Sequence, residues 1–249
     1  MVDAGGARRA LVTGAAKRIG REIALGLARQ GYDVALHCNR SREEADGLAR
    51  EIGALGRRAW VVVGDLSVGD GVSRIVEEAK AAIGPLSLLV NSASMFVPDA
   101  VGSLEEKSWN TQFAINAQAP IFLTQAFAAQ VVDEVKDPSV VNLIDQRVLH
   151  PRPDYVSYYL SKSVLHVATQ TLAQALAPRI RVNAIGPGPT LQAASQTREE
   201  FEAEAAGTPL GHGSDVADIV EAVLYLAHAR SVSGQMLAVD GGQHLAWAE

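Results

Sequence analysis

Hydrophobic positions along the chain follow two alternating patterns. Short runs of aliphatic and β-branched residues, such as Val61-Val62-Val63 and Leu88-Leu89-Val90, are separated by longer stretches with the 3.6-residue period of helices. Near-continuous apolar runs are typical of strands that are buried on both faces of a sheet. The alternation therefore predicts an α/β fold, in which a doubly wound sheet of seven parallel strands is flanked by helices on both faces.

The predicted elements follow one another in a regular order. The strands cover residues 8–13, 33–38, 59–63, 86–90, 139–144, 180–185 and 235–239. The helices cover residues 19–30, 41–55, 68–82, 103–135 with a break, 154–177 and 214–229. Ser41 and Glu44 have the spacing of a capping box for the second helix. Residues 187–213 are rich in Gly, Pro, Ser and Thr around a short Glu-Ala segment, which predicts a long substrate loop over an active site.

Composition and charge narrow the class of protein. The chain has 249 residues and 48% of them are apolar. A chain of this length can bury about 70 to 75% of its unfolded surface, which favours a single domain over residues 1–249. The net charge is −6 and the basic residues are scattered, so we expect no nucleic-acid partner.

The same survey argues against secretion, membrane insertion and metal binding. Charged residues interrupt positions 1–10, so no secretory signal is expected there. The longest uncharged stretch, 108–132, is broken by amides and Pro120, and no membrane span is expected. The single cysteine, Cys38, excludes an internal disulfide framework and favours a cytoplasmic location. The histidines lack metal-ligand spacing, so we predict no metal.

A candidate phosphate site follows the first predicted strand, where Thr13-Gly14-Ala15-Ala16-Lys17-Arg18-Ile19-Gly20 opens the first helix. The N–H groups and the dipole at a helix N-terminus attract the phosphates of a dinucleotide. Gly14 permits the tight turn and Gly20 permits close packing of backbone and helix. The spacing departs from G-x-G-x-x-G, so the turn alone is a weak signal and could be architectural.

The end of the second predicted strand bears on the choice of cofactor. An NAD-binding chain usually places an acidic residue here for the ribose 2′-hydroxyl, but this chain has Asn39-Arg40-Ser41. A guanidinium suits a 2′-phosphate, with Lys17 or Arg18 as further cations, and NADPH is therefore predicted. In the alternative interpretation Arg40 is a solvated surface residue. Asp65 follows the third strand at the ligand-binding edge, and it could equally cap a turn.

Candidate catalytic residues lie in the second half of the chain. Tyr158 and Lys162 are four residues apart and share one face of a predicted helix. Lowering a phenol pKa from about 10 toward 7 takes roughly 4 kcal/mol, the scale of one cation about 4 Å away at an effective dielectric of about 20. Lys162 is predicted to supply that cation, unless the pair is an incidental helical spacing.

Asp145, thirteen residues before Tyr158, could relay a proton to a ring nitrogen or could merely cap its loop.

The motifs together resemble the short-chain dehydrogenase/reductase family over nearly the whole chain. They are the turn at 13–20, Asn91-Ser92-Ala93-Ser94, Asn116, Tyr158 with Lys162, Asn183 with Pro187-Gly188, and Asp240-Gly241-Gly242. Four features resemble the pteridine reductases and the related dihydromonapterin reductases: Lys17-Arg18 in place of the usual glycine, His37 to Ser41, Asn91 to Phe96, and Asp145 in place of the usual catalytic serine. The implied fold is a single doubly wound Rossmann domain.

The resemblance also implies roles for individual residues. Tyr158 and Asp145 would deliver a proton, Lys162 would hold the nicotinamide ribose and lower the tyrosine pKa, and Asn116 would support the lysine through water. The implied cofactor contacts are Gly14, Lys17, Arg18, Ile19, Gly20, Asn39, Arg40, Ser41, Asp65, Leu66, Asn91, Ala93, Ser94, Tyr158, Lys162, Pro187 and Gly188. The implied substrate contacts are Arg18, Ser94, Phe96, Asp145 and Tyr158. Phe96 would stack on a flat heterocycle, although simple core packing is the rival interpretation.

Three functions remain open on the sequence. The first is an NADPH-dependent reductase whose small-molecule substrate is a pterin or folate. The family resemblance implies that such an enzyme is a homotetramer. The second is a carbonyl reductase of the same fold, acting on a 3-oxoacyl thioester, a sugar or a quinone. The third is a cofactor-binding sensor without turnover, against which the presence of both Tyr158 and Lys162 argues.

Overall fold

Seven parallel strands form one sheet in the order β3-β2-β1-β4-β5-β6-β7. The computed structural model describes residues 8–193 and 195–246, so the rest of the predicted domain lies outside the described residues. The strands are β1 Arg9–Val12, β2 Asp33–Cys38, β3 Ala59–Val63, β4 Leu88–Asn91, β5 Ser139–Leu143, β6 Arg181–Pro187 and β7 Met236–Val239. Each predicted strand is present within two residues of its predicted bounds, and the predicted fold class is confirmed.

Helices connect the strands and cover both faces of the sheet. They are α1 Arg18–Arg29, α2 Arg42–Ala54, α3 Val72–Ile83, α4 Glu106–Phe113, α5 Ala119–Gln130, α6 Val156–Leu176, α7 Arg198–Ala206 and α8 Val216–His228. On one face Ile23 of α1, Leu48 of α2 and Val223 of α8 are buried in a common core. On the other face Ile75 of α3 and Phe127 of α5 belong to a second core. Burial on both faces explains the continuous apolar runs of the central strands.

The predicted break in the fourth helical segment has a defined form. A π-helical turn, Ala114–Gln118, separates α4 from α5. A single π turn inserted between α-helices is frequent at functional sites, because it turns side chains away from the regular helical face. Here the turn carries Asn116, which is fully buried.

The structure refines one local prediction and shows that another was wrong. The segment 187–213 is not loop throughout, because Arg198–Ala206 forms α7, which begins with a capping box between Thr197 and Glu200. None of the α7 residues is buried, so the helix has no apolar stripe that a periodicity search could detect. Ser41 precedes α2 without a side-chain capping bond, and the Glu44 carboxylate pairs with Lys17 instead.

None of the helices that the described residues form combines the length and the hydropathy needed to cross a bilayer.

Candidate active site

A cavity of about 880 Å³ opens at the carboxyl ends of the strands. The strand order reverses between β1 and β4, and in open α/β sheets the crevice at such a reversal is where ligands bind. Most predicted site residues line it: Gly14, Lys17, Arg18, Ile19, Gly20, Asn39, Asp65, Leu66, Ala93, Ser94, Phe96, Asp145, Tyr158, Lys162, Pro187 and Gly188. The fold thus brings together residues that are up to 174 positions apart, the separation of Gly14 and Gly188.

Four predicted site residues do not line the cavity as the described residues form it: Arg40, Ser41, Asn91 and Asn116. Arg40 is exposed next to Asp65, whose pKa its charge helps to lower. Asn91 is buried in β4, and its amide donates to Asn142 Oδ1 over 2.8 Å. The contacts of Arg40, Ser41 and Asn91 with a cofactor stay predictions.

The turn after β1 is shaped by two glycines. Gly14 has a left-handed backbone, with φ of +64°, and a Cβ there would lie 2.9 Å from the Ala93 Cα. A Cβ on Gly20 would lie 2.3 Å from the Gly14 carbonyl oxygen. Within the described chain the Lys17 side chain does not cap the first turn of α1, and the residues of that turn line the cavity. The close approach and the open helix end fit the pyrophosphate of a dinucleotide.

Arg18 links this turn to the substrate loop. Its backbone is left-handed, with φ of +54°, which is uncommon for a residue other than glycine. Its guanidinium donates to the carbonyl oxygens of Leu191 and Gln192 over 3.1 and 3.0 Å. The left-handed backbone explains why the family that this chain resembles usually has glycine at this position. In this chain the arginine side chain adds hydrogen bonds to the loop that covers the cavity.

The far end of the cavity is polar. Lys17 Nζ lies 2.6 Å from Glu44 Oε1, and the hydrogen bond from Lys17 lowers the pKa of Glu44. Asp65 Oδ1 accepts from the Ser67 hydroxyl and backbone N–H over 2.6 and 2.8 Å, and these bonds lower the pKa of Asp65. Asp65 therefore both caps its turn and faces the cavity, which combines the two interpretations that its position allows.

The first turn of α6 is fixed by a contact from the β4 loop. The Asp99 carboxylate accepts from the Ser157 backbone N–H over 3.0 Å and also from the Ser157 hydroxyl. The residue that precedes the helix, Tyr155, is left-handed with φ of +56°. These restraints fix the start of α6 and thereby the direction in which Tyr158 enters the cavity.

Asp145 and Tyr158 are joined by a hydrogen bond. The Tyr158 hydroxyl donates to Asp145 Oδ2 over 2.8 Å, and the Arg147 backbone N–H donates to Asp145 Oδ1 over 2.9 Å. Burial raises the pKa of the Asp145 carboxyl. Burial, and then the neighbouring Asp145 charge, raise the pKa of Tyr158 well above its usual value. Each group therefore holds a proton more firmly than it would in water, and the lowered tyrosine pKa that the sequence predicts is not found in this arrangement.

The Lys162 ammonium stabilises an ionised Tyr158 less than the four-residue spacing suggests. Its Nζ donates to the Leu143 carbonyl oxygen over 2.8 Å and lies 5.7 Å from the centre of the Tyr158 ring. Burial lowers the pKa of Lys162 to about 8. The ammonium is directed to the end of β5, because the strand carbonyl is its nearest acceptor.

Asn116 holds the loop after β4. Its Nδ2 donates to the Met95 carbonyl oxygen over 2.9 Å and to Ser161 Oγ over 3.0 Å. Its Oδ1 accepts from the Met95 N–H over 2.8 Å and from Ser94 Oγ over 3.2 Å. Asn116 thus positions Ser94 and Phe96 next to α6. The predicted water-mediated support of Lys162 stays a prediction.

Phe96 belongs to an aromatic cluster in the cavity. Its ring stacks on Tyr155 at 4.3 Å with 5° between the planes, and it meets Tyr158 edge-on at 4.6 Å. The residue is 37% exposed, which argues against simple core packing. A flat ring surface next to Asp145 and Tyr158 suits a planar heterocycle.

His37 is a site residue that the sequence reasoning did not assign. It is 2% exposed, its Nδ1 accepts from the Gly14 N–H over 3.4 Å, and its Nε2 lies 3.1 Å from the Gly64 carbonyl oxygen. The ring is thus neutral with the proton on Nε2, and burial lowers the pKa of His37 to about 4. The available signal was a polar residue directly after the apolar run Val34-Ala35-Leu36 of β2.

His37 predicts an acid-dependent loss of stability. Its folded pKa of about 4 lies below the ordinary value of about 6.5, so the unfolded chain binds the proton more readily. Its contribution is complete above pH 6.5 and is lost as the pH falls toward 4, by about 3 kcal/mol. Urea unfolding of wild type and His37→Asn at pH 7, 5.5 and 4.5 measures the difference. Equal pH slopes for the two proteins would contradict the assignment.

The chain is similar to known oxidoreductases over most of its length. A family model described as enoyl-(acyl carrier protein) reductase matches residues 14–244. The crystal structure of FolM alternative dihydrofolate reductase 1 from Brucella suis in complex with NADP is 46% identical with a TM-score of 0.93, covering 97% of each chain. An uncharacterized oxidoreductase of Mycobacterium tuberculosis is 32% identical, covering 94% of this chain and 90% of its own. A 3-oxoacyl-[acyl-carrier-protein] reductase of Staphylococcus epidermidis is 29% identical, covering 96% of this chain and 99% of its own.

Proposed function

The chain belongs to the short-chain dehydrogenase/reductase family, a family of oxidoreductases, and from that premise we propose that it uses NADPH to reduce a dihydropterin or dihydrofolate. The observation that carries the proposal is the hydrogen bond between Tyr158 and Asp145. A carboxyl group at this position suits protonation of a ring nitrogen, whereas a serine hydroxyl suits hydrogen bonding to a carbonyl oxygen.

The residues of the cavity support NADPH as the cofactor. The glycine turn and the open start of α1 fit the pyrophosphate, and Lys17 lies in the same turn. Positions 39–41 hold no acidic side chain that would repel a 2′-phosphate. The Brucella suis protein was crystallised in complex with NADP. When bound, a reduced nicotinamide supplies the hydride that the reaction needs.

The proton path follows from the chain's own side chains. A proton that leaves Asp145 for a ring nitrogen is replaced along the existing bond from the Tyr158 hydroxyl. Burial raises the pKa values of both groups, so each is a better proton holder here than in water. The buried Lys162 ammonium, 5.7 Å from the tyrosine ring, stabilises the negative charge left on the pair. Phe96 provides the flat surface for the heterocycle.

A carbonyl reductase of the same fold is the second candidate. It is favoured by the similarity to the 3-oxoacyl-[acyl-carrier-protein] reductase and by the description of the matching family model. In that function Asp145 would take the place of a hydroxyl that bonds a carbonyl oxygen. The carboxyl group of Asp145, in place of a hydroxyl, is the feature that argues against a carbonyl reductase.

Turnover of defined substrates separates the two candidates. We expect the purified protein to oxidise NADPH with 7,8-dihydrobiopterin or dihydrofolate at least ten times faster than with an acetoacetyl thioester or a quinone, because Asp145 favours a ring nitrogen. Absorbance at 340 nm measures the rate, and reactions without substrate or with NADH are the controls. Rapid thioester turnover with inert pterins would overturn the substrate assignment and leave the NADPH assignment standing.

The homotetramer and the cytoplasmic location predicted from the sequence belong to the same proposal. Large apolar side chains are exposed on the outer faces of two helices, Phe122 on α5 and Leu160, Val164 and Val167 on α6. An apolar face of this kind suits contact with a second copy of the chain.

A further inference from the structure

Arg147 lines the cavity, and one nitrogen of its guanidinium, Nη1, has no hydrogen-bond acceptor among the described residues. The residue follows Asp145 in a short turn, and only 15% of its side chain is exposed. Its Nη1 is buried without a hydrogen-bond partner within the part of the chain that the structure describes. Buried donors are nearly always satisfied in folded proteins, so the unsatisfied Nη1 indicates that the guanidinium turns toward an acceptor when a ligand fills the cavity that the exposed part of the side chain lines.

The neighbouring carboxylates balance the charge of Arg147 but lie too far away to accept hydrogen bonds from it. Asp154 Oδ2 lies 3.6 Å from Nη1, and Glu204 Oε1 lies 3.9 Å from Nη2, both beyond hydrogen-bond distance. The Glu204 oxygens already accept from Gln196 and Gln243 over 2.8 and 3.0 Å. Glu204 is thereby held on α7 at its present distance. Among the residues that the structure describes, Arg147 thus has two counter-charges within 4 Å but no hydrogen-bond acceptor for Nη1.

Arg147 lies at the end of the aromatic cluster that faces the substrate loop. Its Cζ is 5.3 Å from the centre of the Tyr155 ring and 6.0 Å from that of Phe96. The Tyr155 hydroxyl lies 3.2 Å from Ser195 Oγ in the substrate loop. A heterocycle that stacks on Phe96 with its reacting edge at Tyr158 would direct a substituent toward this end of the cavity.

The charge around Arg147 defines the chemistry of that substituent. Asp154 and Glu204 both lie within 4 Å of the Arg147 guanidinium, so an anionic group bound there would be repelled by two carboxylates. A hydroxyl or carbonyl oxygen accepts from the guanidinium without that repulsion. We propose that Arg147 is a substrate-binding residue that donates hydrogen bonds to uncharged oxygen atoms on the side chain of the reduced pterin. This inference rests on the proposed function.

Two substrates with the same ring test the role of Arg147. 7,8-Dihydrobiopterin carries a dihydroxypropyl side chain, and 6-methyl-7,8-dihydropterin carries none of its hydroxyls. In Arg147→Met, kcat/KM for dihydrobiopterin is expected to fall about 10- to 100-fold, mainly through KM, because two charge-assisted bonds are lost. For 6-methyl-7,8-dihydropterin, kcat/KM of the same variant is expected to fall less than about threefold, since that substrate lacks the hydroxyls that make those bonds. Arg147→Lys keeps the positive charge but loses the paired N–H donors of the guanidinium. Its kcat/KM for dihydrobiopterin is expected to lie between those of wild type and Arg147→Met.

Arg198→Met is the matched control, because Arg198 lies on α7 with 80% of its side chain exposed and pairs with Glu202. It is expected to leave both substrates unchanged. An equal loss for both substrates in Arg147→Met would overturn the inference, since it would indicate a contact with the ring or a general distortion. Unchanged kinetics for both would also overturn it. If wild type turns over neither pterin, the proposed function fails instead, and the two failures are thus distinguished.

Discussion

Tyr158→Phe is expected to lower kcat for dihydropterin reduction by about two to four orders of magnitude, the range that a positioned proton donor contributes. The substitution removes the hydroxyl that donates to Asp145 Oδ2, so a proton given up by Asp145 is no longer replaced inside the cavity. The ring that meets Phe96 edge-on is retained, and the aromatic cluster is expected to persist. Stopped-flow measurement of a single turnover, with NADPH affinity measured by fluorescence titration, separates chemistry from binding.

The neighbouring tyrosine provides the control for that experiment. Tyr159→Phe removes one hydroxyl from the next position of α6, and Tyr159 does not line the cavity as the described residues form it. It is expected to match wild type in kcat, NADPH affinity and thermal stability. If Tyr158→Phe turns over a dihydropterin at the wild-type rate, the tyrosine is not part of the proton path. If it also loses NADPH affinity, the substitution has disturbed more than the proton path.

The sheet and most of the cavity were predictable because they depend on local rules. Strands buried on both faces, such as β3 and β4, must be short apolar runs, and their carboxyl ends must meet at one edge of a parallel sheet. The residues that follow those strands, including Asp65 and Ser94, therefore had predictable places. Gly14 was predictable for a similar reason, since its left-handed backbone excludes most other residues.

Side-chain directions inside the cavity were less predictable, because they depend on contacts between distant segments. The spacing of Tyr158 and Lys162 placed them on one face of a helix, but the Leu143 carbonyl draws the ammonium away from the hydroxyl. The environment of Arg147 depends on Glu204, which lies 57 positions further along the chain on a helix without an apolar stripe. Hydrophobic periodicity reports burial on one face, and it does not report such polar contacts.

Asp145 is the residue on which the proposed choice of substrate rests, and its replacement is expected to change selectivity as well as rate. Under the proposed function, Asp145→Ser removes the group that would give its proton to a ring nitrogen, and it leaves a hydroxyl suited to a carbonyl oxygen. Turnover of 7,8-dihydrobiopterin is expected to fall about 100-fold or more, while reduction of an acetoacetyl thioester is unchanged or faster. The ratio of the two kcat/KM values, measured under identical conditions, is the decisive quantity because it cancels losses of active protein.

Asp145→Asn is the isosteric partner of that variant. It keeps the shape of the side chain and an oxygen that accepts from the Arg147 backbone N–H, but it cannot give a proton to the substrate. It is therefore expected to lose pterin turnover as Asp145→Ser does, without the gain for the thioester. Wild-type pterin rates in either variant would exclude a proton role for Asp145. Equal losses for both substrate classes in the serine variant would instead indicate that the carboxyl mainly holds Tyr158 and the turn at Arg147 in place.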